Sequence, residues 1–187
     1  MWDALAEGRR DAEKGGGGLS LFRKREPPAS GPGAELPRAA VCFLSHAMTR
    51  RAADWLGNLG GCRPLGILSD DCDDVVWQCT AEKVDLLVLE TDFTEGVEDK
   101  DVSARCDIAI EVRRRLPNCR VYLICEDSYP KKQAALDKAV ELKLIDGYCI
   151  GDLSAQQMRT WLDETAESMK AAASPPKNQE PGRRNKA

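Results

Sequence analysis

The residues able to do chemistry in this 187-residue chain are few and scattered. His46 is the sole histidine. Its imidazole titrates near neutral pH, which makes it a candidate general base or phosphohistidine. The sequence places no serine or cysteine beside it with a fixed orienting group. A loop histidine without such partners is more often polar surface than catalyst. Glu90 closes an apolar run, and Asp92 follows two positions later. Asp70, Asp71, Asp73 and Asp74 crowd together, but their spacing and the missing glycine exclude an EF-hand. They read as the solvated start of a helix, whose N-terminal end carries partial positive charge.

The eight cysteines lie at 42, 62, 72, 79, 106, 119, 125 and 149, with no CxxC pair. A zinc site needs closely spaced ligand pairs, so no metal is expected. Cys42, Cys125 and Cys149 sit inside apolar runs, where a thiol behaves as a small buried hydrophobe. Reduced thiols are the expectation, because disulfides are rare in cytosolic chains.

Length and composition limit what these residues can belong to. The chain suits one domain plus tails. No apolar run approaches the ~20 residues of a bilayer span. The segment 1–14 is charged and lacks the apolar stretch of a secretory signal, so a cytoplasmic location is expected. Residues 1–38 carry net +1 and residues 170–187 net +4; removing both from the overall −4 leaves −9 on the middle segment. An acidic core argues against direct nucleic-acid contact, which wants a basic face. The basic C-terminal tail could touch an acidic partner weakly, though such a tail is more often only solvated.

Residues 1–38 are predicted to be a flexible tail. Gly15–Gly18 and the prolines at 27, 28, 32 and 37 give linker character. Within it, Leu19 to Arg25 joins an apolar patch to a basic triplet, a pattern open to a docking role or to plain disorder. Residues 170–187, with Pro175, Pro176 and Pro181, are predicted to be a disordered basic tail.

Between the tails, residues 39–169 alternate short apolar runs with amphipathic stretches. Strands are predicted over Ala39–Ser45, Pro64–Leu68, Asp85–Glu90, Cys119–Cys125 and Ile145–Ile150. The run Leu86 to Leu89 matches a central parallel strand buried on both faces. Thr49 is predicted to cap a helix with Trp55, Leu56 and Leu59 on its apolar face, ending at Gly60-Gly61. Further helices are predicted from about Asp73, over Val102–Leu116, from Pro130 with Ala135, Leu136, Ala139, Val140 and Leu142 apolar, and over Leu153–Met169. Five strands alternating with five helices imply a doubly wound parallel sheet of order 2-1-3-4-5, flavodoxin-like. Its working crevice lies at the C-terminal ends of the strands.

At that edge the chain resembles the receiver domains of response regulators in two-component signalling. Asp85-Leu-Leu-Val-Leu-Glu90 is similar to their third strand, D-L-V-L-L-D. Arg120-Val-Tyr-Leu-Ile-Cys125 is similar to their fourth. Lys138 to Cys149 is similar to the segment A-x-x-x-G-A-x-D-Y-L that closes helix 4 and opens strand 5. The resemblance spans about residues 39–169. It implies a magnesium-binding acidic pair after strand 1, a phosphoacceptor Asp ending strand 3, a hydroxyl after strand 4 and a lysine after strand 5. This chain departs at every one: Ser45-His46 for the acidic pair, Glu90 for the Asp, Cys125 for the hydroxyl, and Gly151-Asp152 for Lys-Pro.

Those departures remove the chemistry. Magnesium wants several carboxylate oxygens in octahedral array, and Glu90 would have help only from Asp92 or Glu126. Without the lysine nothing evident neutralises a phosphoryl dianion. The extra methylene of Glu90 moves the acceptor oxygen by over ~1 Å, an error worth about 10²-fold in rate. The expectation is a non-enzymatic, phosphorylation-independent pseudo-receiver with no cofactor and no metal, acting by contact with a protein partner. The resemblance puts its interaction face on helix 4, strand 5 and helix 5, around Lys131, Lys132, Lys138, Tyr148, Gln157 and Trp161. Homodimerisation through the same face is open, and no membrane contact is expected.

Three rivals remain. An atypical receiver could still be phosphorylated at Glu90 or Asp92. Phe43-Leu-Ser-His-Ala47 resembles the first strand of Toll/interleukin-receptor-type domains, some of which cleave NAD with a glutamate in the third helix. That glutamate usually stands three residues after a Trp-Cys or similar pair; here Ser103-Ala-Arg-Cys106 is followed by Ala109 at that offset, and the nearest glutamate is Glu111. A flavin site would want glycine after strand 1; this chain offers only the hydroxyls of Ser45 and Thr49.

Overall fold

The computed structural model describes residues 36–69, 71–91, 98–125 and 130–173. The predicted tail motif Leu19–Arg25, Asp70, Asp92 and Glu126 lie outside them. Among the described residues ten elements alternate: β1 (Arg38–Cys42), α1 (His46–Leu59), β2 (Arg63–Gly66), α2 (Cys72–Glu82), β3 (Leu86–Glu90), α3 (Glu98–Arg115), β4 (Arg120–Cys125), α4 (Pro130–Glu141), β5 (Gly147–Ile150) and α5 (Ala155–Ala173). The strands form one parallel sheet in the order β2-β1-β3-β4-β5, as the alternation of elements predicted.

Strand alternation divides the core into two layers. Ala40 and Cys42 of β1, Leu87 and Leu89 of β3, and Val121, Leu123 and Cys125 of β4 share one layer with residues of α2, α3 and α4. Ala39, Val41 and Phe43, Leu86 and Val88, and Tyr122 and Ile124 share the other with α1 and α5. This is why β3 reads as an unbroken apolar run: Leu86 to Leu89 are fully buried, two toward each layer.

Local chemistry sets the element ends. Asp71 caps α2, its carboxylate accepting the Asp74 N–H at 3.1 Å. Gly60 ends α1 at φ +74°, a conformation that suits glycine.

Some boundaries differ from the sequence reading. β1 stops at Cys42, because Phe43 to Ser45 turn into α1. Thr49 is not the cap of α1. Ser45 occupies that place, with extended φ/ψ and no side-chain cap bond, and Thr49 lies fully buried in the first turn. α3 starts four residues earlier than predicted, at Glu98. Leu142 lies beyond α4 and is 57% exposed, so it is no part of that helix's apolar face. α5 continues to Ala173, past the predicted tail boundary at 170. All eight cysteines are free; only Cys72 and Cys149 are not fully buried.

Candidate functional site

The C-terminal ends of the strands bring the expected residues to one edge of the sheet, but not into one constellation. Ser45 ends the turn between β1 and α1, His46 is the first residue of α1, and both are exposed. Thr49 fixes that turn. Its hydroxyl oxygen accepts the Phe43 N–H at 3.0 Å and lies 3.2 Å from the carbonyl oxygens of Phe43 and Ser45, which share its proton. A buried threonine thus holds the loop from below, while the two polar residues face outward.

Glu90, at the end of β3, is half-buried. Its Oε2 accepts the backbone N–H of Leu44 at 2.9 Å. Its own carbonyl accepts Nε–H of Arg105 at 2.9 Å. Arg105 reaches there from α3 and is only 5% exposed. Cys125 ends β4 with no exposure, in the layer that contains Leu87 and Leu89. By strand alternation Glu90 shares a side with Leu86 and Val88, toward α1, whereas Cys125 lies with Val121 and Leu123, toward α2 to α4. The two residues matched to acceptor and hydroxyl are therefore committed to opposite faces.

Gly151 follows β5 at φ +80°, its N–H donating to the Cys125 carbonyl at 2.8 Å. Thr91 extends the β3–β4 pairing by one residue, with its N–H on the Ile124 carbonyl at 2.9 Å and its hydroxyl 3.2 Å from the same oxygen. Among the described residues, no three His, Cys, Asp or Glu side chains converge as a metal site would require.

The expected interaction face does not hold together. Lys131 and Lys138 are exposed on α4, but Lys132 is 5% exposed. Trp161 is buried in the other layer, stacked on Tyr122 with ring centroids 4.3 Å apart and 15° between planes. It faces the sheet because Met158, Trp161, Leu162 and Thr165 form the buried stripe of α5. Tyr148 is half-buried and donates to Asp137 Oδ1 at 2.6 Å, a bond that raises its phenol above the usual range. Gln157 is half-buried as well.

Two groupings escaped the sequence reading. Asp146, just before β5, pairs with Arg113 of α3 and, at 2.9 Å, with Arg120 of β4, and accepts the Val121 N–H at 2.8 Å. Tyr122 donates to Glu164 Oε2 at 2.7 Å; burial first, then this bond, raises its phenol. Their members lie 25 to 42 positions apart, so no local spacing announces them. Arg105 had a faint signal, since it falls in the buried stripe with Val102, Cys106 and Ala109.

A parallel sheet in 2-1-3-4-5 order, two helices on one face and three on the other, is also found in solved structures. A response regulator receiver domain protein from Clostridium thermocellum superposes with TM-score 0.55 at 13% identity, over 73% of this chain and 99% of that one. The receiver domain of the response regulator AraT from Geobacillus stearothermophilus gives 0.51 at 14% identity, over 74% and 99%. This chain has the receiver fold. The same fold superposes on an adenylate cyclase structure from Rhodopirellula baltica, with TM-score 0.52 at 7% identity, over 72% and 90%. At such identities the likeness establishes the fold of the receiver-like domain alone. No protein-family model and no curated protein matches the sequence. No helix among the described residues is long and apolar enough to cross a membrane.

Proposed function

We propose that this receiver-like domain is a non-catalytic regulatory module that works through protein contact without being phosphorylated. The observation that carries the reading is the engagement of Glu90. The carboxylate at the end of β3 is tied to the Leu44 N–H, bracing the β1–α1 turn. A phosphoacceptor must present its oxygen to an incoming phosphoryl group beside a metal and a cation. The surrounding positions support the same reading. Ser45 and His46 are poor magnesium ligands in the places of an acidic pair. Cys125 is buried among apolar residues. Gly151 supplies no side chain at all. Arg105 donates Nε–H to the backbone carbonyl of Glu90 and not to its carboxylate.

The test is mass spectrometry of the full chain after acetyl phosphate and Mg²⁺. The expected spectrum is that of unmodified protein. Glu90→Asp, which restores the acceptor type without a cation, is expected to stay unmodified too. A stoichiometric phosphoryl adduct on the unaltered chain, mapped to Glu90 or Asp92, would overturn the reading.

A further inference from the structure

Beside the degenerate edge, between α1 and the start of α5, a cleft of about 220 Å³ opens into the sheet. Its floor is Val41 of β1 and Phe43 just past that strand, and its walls include Ala52 and Trp55 of α1 and Leu153 before α5. Val41, Phe43 and Ala52, at its base, are buried residues of the core layer. Among the described lining residues, apart from Ser154, the one polar side chain is that of Arg51. Arg51 is exposed, and among the described residues it makes no ion pair or side-chain hydrogen bond.

We propose that this cleft is a binding site for a small aromatic carboxylate. An apolar slot with one convergent charged group is the usual build of a small-molecule site. Two aromatic side chains, Phe43 and Trp55, favour a planar apolar body. Arg51 supplies a forked donor that matches a carboxylate in both charge and geometry. The volume lies below the ~300–1,000 Å³ of drug-sized sites, which limits the ligand to one or two rings. The inference stands apart from the phosphorylation question, because none of its lining residues belongs to the edge formed by Glu90, Cys125 and Gly151.

The experiment is a two-dimensional ¹H–¹⁵N NMR titration of the full chain with 2-naphthoate, and with 2-naphthamide as a neutral analogue of the same shape. The expected result is a saturable shift centred on Ala52, Trp55 and Leu153, with Kd at or below about 1 mM for 2-naphthoate. The amide should bind at least about fivefold more weakly. Arg51→Ala, a surface change that leaves the fold intact, should bring the acid's affinity down to that of the amide. Ala155→Trp, at the exposed mouth, should weaken both ligands. Shifts centred elsewhere, no saturation, or an unchanged acid-to-amide ratio in Arg51→Ala would each overturn the proposal.

Discussion

Oε2 of Glu90 accepts the backbone N–H of Leu44 at 2.9 Å, joining the end of β3 to the turn that follows β1. The bond crosses 46 residues of sequence and makes the carboxylate a structural brace. Leu44 is 40% exposed, so water can replace part of what a substitution removes. Glu90→Ala is therefore expected to cost about 1 kcal/mol, below the ~1.5–3 kcal/mol of a well-shielded hydrogen bond to a charged group. Glu90→Gln keeps an acceptor and should cost less. Urea denaturation of the three proteins measures the order, and equal stability of all three would refute the brace.

Asp146 carries more. It serves two arginines and a backbone N–H, and its side chain is 17% exposed. Asp146→Ala leaves Arg113, Arg120 and the Val121 N–H without their shared acceptor at the entry to β4 and β5. The expected loss is about 2–4 kcal/mol, well above that for Glu90→Ala. Asp146→Asn, which keeps one acceptor and loses the charge, should fall between. Denaturant midpoints at constant slope check the ranking.

Gly151 sits at φ +80°, and a Cβ built there meets nothing within 4 Å. Space is available, so any penalty for a side chain is backbone strain alone. Gly151→Ala and Gly151→Lys should each destabilise by about 1–2 kcal/mol, by nearly the same amount. A lysine at 151 would then stand on a strained backbone. Thermal unfolding of both variants decides this: a cost that grows with side-chain size would point to contacts instead.

Buried thiols give the stability a pH dependence. Burial pushes Cys79 up to about 12 and also raises Cys119. In the unfolded chain such thiols ionise near about 8.5. Above that pH the unfolded state gives up protons that the folded state retains, so it binds fewer protons and stability falls as pH rises. The loss should begin near pH 8.5 and continue toward about 12, with no contribution from these groups at neutral pH. Cys79→Ala creates a cavity that costs stability at every pH, so the readout is the slope between pH 8.5 and 11, which should become shallower. An unchanged slope would exclude Cys79 as a source.

The edge of the sheet shows where a sequence stops being informative. The strand signal is local: the apolar runs Leu86 to Leu89 and Val121 to Cys125 announce the strands before any coordinates do. Yet strand alternation, once the strands pair in register, turns Glu90 and Cys125 to opposite faces. Two positions aligned by a motif thus part in space. Thr49 was misread as well. Its type and place suit a helix cap, but its hydroxyl serves the Phe43 N–H and the carbonyl four residues back, because the helix has already begun at His46.

Lys132 and Trp161 mark the limit at the surface. A lysine and a lone tryptophan on amphipathic helices read as contact residues, and both are buried here. The ring of Trp161 is claimed by Tyr122, 39 residues earlier, whose hydroxyl is in turn held by Glu164.

What the sequence alone determined is the order and type of the ten elements and hence the sheet, because hydrophobic period and turn residues act over a few positions. Tertiary structure alone decided the site: Arg105 against Glu90, the three-way pairing at Asp146, and the cleft under Arg51. Those relationships join residues from separate elements, and their distances are fixed only when the helices settle on the two faces of the sheet.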